Sequence, residues 1–344
     1  MKLGLTWGYW GALPPGNLVE LTQEAERLGF DSVWSAEAWG SDAFSPLAYL
    51  AAHTSTIKLG TGVVQLSGRT PTAAAMHAIT IDHLSQGRLI LGLGVSGPQV
   101  VEGWYGQPYR KPLARTREYV EIIRKVLARE EPLEFQGEFH QHPYRGEGST
   151  GFGKPLKVIT HPFRREIPIF LGAEGPKNIA LTAEIADGWL PLFFTPRMAD
   201  TYNEWLDEGF ARPGARRTRD DFEVCATAQI YLTDDRASVL AGLKPVTALY
   251  MGGMGSEDTN FHAEVYRRMG YGELVDEVTA LFRGGRKEEA AAAIPDEVIS
   301  ESTLIGDADS VREQIRTWEA AGVTTLLVTA GSAQQIRDIA TLAN

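Results

Sequence analysis

The chain has 344 residues and a net charge of −11, with 43% hydrophobic and 22% charged residues. That balance belongs to a globular enzyme: no apolar run approaches the ~20 residues of a membrane span, and the acidic charge argues against nucleic acid or an anionic membrane as principal partner. Cys225 is the single cysteine, so an intramolecular disulfide and a cysteine-based metal cluster are both excluded. Met1-Lys-Leu-Gly-Leu reads directly as the start of a strand with no secretory signal visible, so the expected location is cytoplasmic.

Lys2–Trp7 reads as a first strand, followed by a helix over Asn17–Leu28 whose Leu18, Leu21, Ala25 and Leu28 share one face before Gly29 ends it. Asp31–Ser35 is the second strand, and Ser45-Pro46 opens a helix to His53 with Ser45 as its cap. Ile57–Val64 is the third strand, Thr70-Pro71 opens a helix to Ser85, and Arg88–Val95 is the fourth strand. A helix over Leu113–Arg129 follows. Residues 131–165 then break the rhythm, with a small hairpin or extended excursion at Leu133–His140.

Regular order resumes with strands at Ile167–Leu171, Trp189–Phe194, Phe222–Leu232 and Thr324–Thr329, and helices near Pro176–Ala186, Met198–Gly209, Asp309–Ala321 and Gln334–Ala343. Residues 234–306 form a helical insertion before the eighth strand, with turns at Gly252-Gly253 and Gly284-Gly285. Eight strands alternating with helices imply a parallel sheet with right-handed crossovers, closed into a (β/α)8 TIM barrel. The expected architecture is therefore one α/β barrel domain over residues 1–344, with insertions after strand four and before strand eight.

In such a barrel the chemistry sits where the strands end. Gly172-Ala173-Glu174-Gly175-Pro176 joins the fifth strand to a helix; its glycines permit a tight backbone, and the helix start presents free N–H groups and a favourable dipole to an anion. Taken alone the segment also fits an ordinary strand-to-helix loop. Gly92-Leu-Gly-Val-Ser-Gly97 has the spacing of a dinucleotide fingerprint, but it lies in the fourth unit, Pro98 follows it, and no acidic strand end comes about twenty residues later. It is read instead as a strand end where Ser96 and Gly97 let a ligand approach the backbone.

Glu37 follows the second strand beside Trp39, as either a surface carboxylate or a functional acid, and Trp7 and Trp39 are either core aromatics or plates for a planar ligand. The histidines form no metal-ligand pattern, with His53, His77 and His83 falling in helices, so no metal is expected. No G-x-S-x-G occurs, and Cys225 sits in an apolar strand without a base, which leaves nucleophilic catalysis unsupported.

Several stretches taken together resemble the luciferase-like monooxygenase superfamily, and within it the branch of deazaflavin (coenzyme F420)-dependent oxidoreductases. They are Leu28–Trp34 with Ala36-Glu37, Gly60–Val63 followed by Arg69-Thr70-Pro71, Ser85–Gly94, and Gly172–Pro176 with Ala186-Asp187-Gly188-Trp189. The resemblance implies a flavin-type ring over the ends of strands three and four, where Gly62 and Val63 would be joined by a cis peptide bond. It implies cofactor phosphate at Gly172–Pro176, a small-molecule substrate and a homodimer. Many relatives carry histidine after the acidic residue of strand two; Ala38 and Trp39 stand here, which leaves Glu37 as the candidate for proton transfer or positioning. The expected activity is hydride transfer between coenzyme F420 and an organic substrate. An FMN-dependent monooxygenase is the near alternative, and a noncatalytic flavin-binding protein or a barrel hydrolase the distant ones.

Overall fold

The structure, a computed structural model, describes residues 1–255 and 260–342. Eight parallel strands close on themselves: Lys2–Gly8, Ser32–Ser35, Lys58–Thr61, Leu89–Gly94, Ile169–Gly172, Gly188–Leu190, Glu223–Thr227 and Thr325–Val328. Each pairs with its neighbour in sequence, and the eighth returns to the first in the register Lys2↔Thr325. The expected TIM barrel is the observed fold.

Strand parity divides the core in two. Leu3, Leu5, Val33, Leu59, Leu89, Leu91, Ile169 and Leu326 face outward, where they pack under the helices in one continuous layer. Trp34, Ile90, Phe170, Leu190, Cys225 and Leu327 fill the interior. Trp34 fits there because its neighbours lack side chains: a Cβ on Gly60 would lie 2.3 Å from the Trp34 ring, and one on Gly4 3.2 Å from its Nε1. The indole N–H donates to Ser32 Oγ at 2.8 Å, so the buried donor is satisfied. This plug is the floor beneath the mouth.

Several boundaries differ from expectation for local reasons. The helix expected from Ser45 begins at Phe44, because Asp42 Oδ1 accepts both the Phe44 and the Ser45 N–H at 2.8 Å and does the capping assigned to Ser45. Thr70 caps the next helix as expected, its Oγ1 accepting the Ala73 N–H. The third strand stops at Thr61, and after a cis Gly62–Val63 bond Val64-Gln65 resumes pairing against Leu93-Gly94. The seventh strand, expected to run unbroken to Leu232, leaves the barrel after Thr227, and Gln229–Leu232 pairs in parallel with Thr303–Gly306 outside it. Its partner strand, Thr303–Gly306, was hidden inside a segment read as helical. Gly252-Gly253, read as a turn, lies in a helical turn against Phe282, where a Cβ on Gly252 would sit 2.9 Å from Phe282 Cβ.

The excursion after strand four does carry a small antiparallel hairpin, Phe135-Gln136 against Gln141-His142. The insertion before strand eight is helical and builds a core of its own from Leu240, Met251, Tyr266, Val275, Val278 and Ile299. The last helix spans Ala333–Ala340; Ala343, its expected end, lies outside the described residues. Among the described residues no helix is long and apolar enough to cross a membrane.

Candidate functional site

The loops that follow the strands' carboxyl ends make one mouth, and most of the expected site residues meet there. Gly62 is exposed and Val63 half-buried above the interior plug, with the Gly62 N–H held by Ser35 O at 2.7 Å and the Val63 carbonyl accepting from Glu37 N. The cis Gly62–Val63 bond is present. Backbone approaches are close: a Cβ on Gly92 would lie 1.8 Å from Thr61 O, on Gly94 2.5 Å from Val63 Cγ2, and on Gly172 3.3 Å from Val63 Cγ1. Strands four and five are paired at Leu93↔Leu171, so the turn at Ser96-Gly97 lies beside the turn Ala173–Gly175. Ser96 takes a left-handed backbone with φ of 60°, uncommon for a residue other than glycine and most often found at functional turns.

In the fifth turn, Gly175 precedes a helix over Pro176–Ile185. A Cβ on Gly175 would meet only the Arg268 guanidinium, 3.6 Å away, so the glycine leaves a small open cradle at a helix start. Three buried side-chain atoms around the mouth, Trp10 Nε1, Gln65 Oε1 and Glu174 Oε2, have no hydrogen-bond partner in the protein. Buried polar groups are normally paired, and each of these atoms is open to a ligand or solvent partner.

Glu37 is not open to this mouth. Its side chain is 2% exposed and fully engaged: Oε1 accepts from Arg69 Nη1 at 2.9 Å and Gln65 N at 2.7 Å, Oε2 from Arg69 Nη2 at 3.1 Å and Ala43 N at 3.3 Å. Arg69 stacks over Phe44 at 5.1 Å. Burial pushes the Arg69 guanidinium down, but Glu37 outweighs it and the net shift is upward. This arrangement ties the loops after strands two and three together. Arg69 stood in the sequence directly before the Thr70-Pro71 helix start, a position from which it could have been read as the partner.

Trp7 is not brought to the mouth. Its indole N–H donates to Thr22 Oγ1 at 3.1 Å and its ring packs in the outer layer, because strand parity turns position 7, like Leu3 and Leu5, toward the helices. Trp39 does stand at the rim, 55% exposed. The insertion supplies what the sequence reading missed. Phe193, held at φ of 55°, meets Tyr250 at 5.0 Å and Tyr266 at 5.1 Å between ring centres, and Phe261 reaches Tyr109 at 6.0 Å. Burial, with Tyr9 beside it, pushes the Tyr250 phenol up to about 12, so it is neutral at ordinary pH. His262 Nδ1 lies 3.1 Å from Glu174 Oε1, and Arg268 Nη1 donates to the Glu174 carbonyl at 3.1 Å. Arg197, after the sixth strand, is occupied by a two-pronged pair with Glu301. Among the described residues no cluster of His, Cys, Asp and Glu could hold a metal ion.

Residues 6–325 match the family model of luciferase-like monooxygenases. A Mycobacterium tuberculosis protein provisionally named coenzyme F420-dependent oxidoreductase is 67% identical over 342 residues, 99% of each chain. The 5,10-methylenetetrahydromethanopterin reductase of Archaeoglobus fulgidus is 34% identical over 309 residues, covering 90% of this chain and 87% of that one. Among solved structures, the coenzyme F420-dependent tetrahydromethanopterin reductase of Methanopyrus kandleri shares the fold, with a TM-score of 0.80 over 98% of this chain and 97% of that one at 24% identity.

Proposed function

This chain belongs to the luciferase-like monooxygenase family, and from that premise we propose how its barrel mouth serves a deazaflavin. The protein is a coenzyme F420-dependent oxidoreductase acting on a small organic molecule; the near full-length identity with the mycobacterial protein carries the assignment. When bound, the coenzyme supplies the carbon centre that takes up or gives a hydride, and the chain supplies position and electrostatics.

The residues fit that group. Gly62 and Val63 offer an exposed backbone above an apolar plug, a surface suited to a flat ring, and the cradle of Gly172, Ala173, Glu174, Gly175 and Pro176 beside Ser96 and Gly97 suits a phosphate arm. Trp39, with Tyr250 and Phe261 from the insertion, lines the approach for an organic substrate. Glu37 acts as a positioning residue, holding Arg69 and the two loops that frame the ring site. The chain works as a single barrel domain with two insertions. A homodimer is supported by exposed Tyr49, Met76 and Leu84 on the helices after strands two and three, and a cytoplasmic location by the single, buried cysteine.

Parallel titration with F420 and FMN, followed by each ring's absorbance, tests the assignment. Saturable F420 binding with weaker or no FMN binding is expected; the reverse preference overturns it.

A further inference from the structure

The insertion helix Phe261–Arg268 lies across the fifth turn and touches it at both ends. Asn260 fixes its start, accepting the His262 and Ala263 N–H groups at 3.1 Å and donating to the Tyr250 and Met251 carbonyls. From its first turn His262 holds the Glu174 carboxylate; from its last, Arg268 holds the Glu174 carbonyl. The carboxylate of the turn is thereby drawn toward His262, while the guanidinium sits against Gly175.

Arg268 differs from the arginines near it. Arg267 pairs with Glu264 and Asp276, and Arg197 with Glu301, whereas Arg268 makes no ion pair among the described residues and spends one of its five N–H donors, on a neutral carbonyl. An uncompensated, exposed cation is thus fixed at the edge of a helix start whose own dipole favours an anion. A planar fork of free donors is well matched to phosphate oxygens.

We propose that Arg268 is the counter-charge for the cofactor's phosphate arm, so that the insertion completes a phosphate site that the barrel turn supplies only in part. The inference rests on the F420 reading. His262 has a positioning role in it, keeping the Glu174 carboxylate off the arm.

The test compares F420 with the phosphate-free ribityl deazaflavin that carries the same ring, each titrated by fluorescence into wild type and Arg268→Gln at two salt concentrations. Glutamine keeps a donor for the Glu174 carbonyl and removes the charge. Expected is about tenfold weaker F420 binding in the variant, with a shallower salt dependence and unchanged affinity for the phosphate-free ligand. Arg268→Lys, which keeps the charge, should recover part of the loss. Equal affinity of wild type and Arg268→Gln for F420 overturns the inference, and so does an equal loss for both ligands, which would make Arg268 a brace for the turn. Failure of wild type to bind F420 overturns the functional reading itself, and the inference with it.

Discussion

Arg69 closes on Glu37 with both prongs of its guanidinium, and two backbone N–H groups take up the remaining acceptor positions of the carboxylate. Removing one partner of a buried pair leaves the other charged and unpaired, which costs more than the pair itself contributes. Glu37→Gln should therefore lower stability by about 3 kcal/mol, read by chemical denaturation, because Arg69 keeps its charge and loses its partner. Turnover should fall only as far as cofactor affinity does, and the pH–rate profile should keep its shape. A variant that melts like wild type and loses one limb of that profile would make Glu37 the proton-transfer group.

The glycines of the mouth divide into two kinds. At Gly92 a Cβ would overlap Thr61 O, whereas at Gly175 the backbone is ordinary, with φ of −111°, and the nearest atom is the end of a flexible arginine. Gly92→Ala should fail to yield folded protein. Gly175→Val should keep the wild-type circular dichroism spectrum and bind F420 at least tenfold more weakly, a difference of about 1.4 kcal/mol. Unchanged affinity in folded Gly175→Val would move the phosphate elsewhere.

Trp7 and Trp39 should separate in the opposite sense from a shared stacking role. Trp7→Phe removes a hydrogen bond to Thr22 and should cost about 1 kcal/mol of stability while leaving cofactor titrations alone. Trp39→Ala, at an exposed rim position, should leave melting within about 0.5 kcal/mol of wild type and change the Michaelis constant for a substrate found by screening. An effect of Trp7→Phe on F420 affinity with no change in melting would contradict the assigned packing.

Asp187, part of the Ala186–Trp189 stretch on which the family resemblance rested, is saturated by protein groups: it accepts from Arg124, Arg216, Arg217 and the Ile169 N–H at the far end of the barrel strands. Burial alone would raise its carboxyl, but Arg124, the Ile169 amide and Arg216 outweigh burial and hold it below the ordinary value. A folded pKa below the unfolded one stabilises the protein fully above the unfolded value, near ~3.9, and the contribution is lost as pH falls through the folded value. Asp187→Asn should cost about 3 to 5 kcal/mol at neutral pH, and the difference from wild type should narrow as melting is followed from pH 6 toward pH 3 (about the acid limit of such a scan). A gap that stays constant across that range would show that folding leaves the Asp187 pKa unchanged.

The barrel was readable because its strands are short apolar runs and many of its helices announce their start with a cap or a proline, as Thr70-Pro71 does. The exceptions are instructive. Asp42 displaced Ser45 as cap because an acceptor two residues before the helix can reach two N–H groups at once, a choice that composition does not decide. The seventh strand split because Ile230 pairs opposite Leu304, across a stretch whose intervening pattern is helical. At the site, the glycine turns were visible since a close approach needs glycine, and their placement at one mouth follows from the barrel. The contacts from His262 and Arg268 to Glu174 span separations of 88 and 94 residues, with nothing in the local pattern of either partner to announce them. For Trp7 two readings stayed open for a simpler reason: position along a strand gives nearness to the mouth, but parity decides which way the ring points, and here it packs with the core.

The parallel pair formed by Gln229–Leu232 and Thr303–Gly306 is where the large insertion departs from the barrel and rejoins it. Its two ends are stapled at one strand spacing, so whatever lies between them can lengthen, shorten or be replaced without asking any barrel strand to change register. The scaffold and the segment that arches over its mouth are in this sense separately heritable: drift in the one need not be compensated in the other, except at the few side chains where the helix Phe261–Arg268 reaches down to the fifth turn.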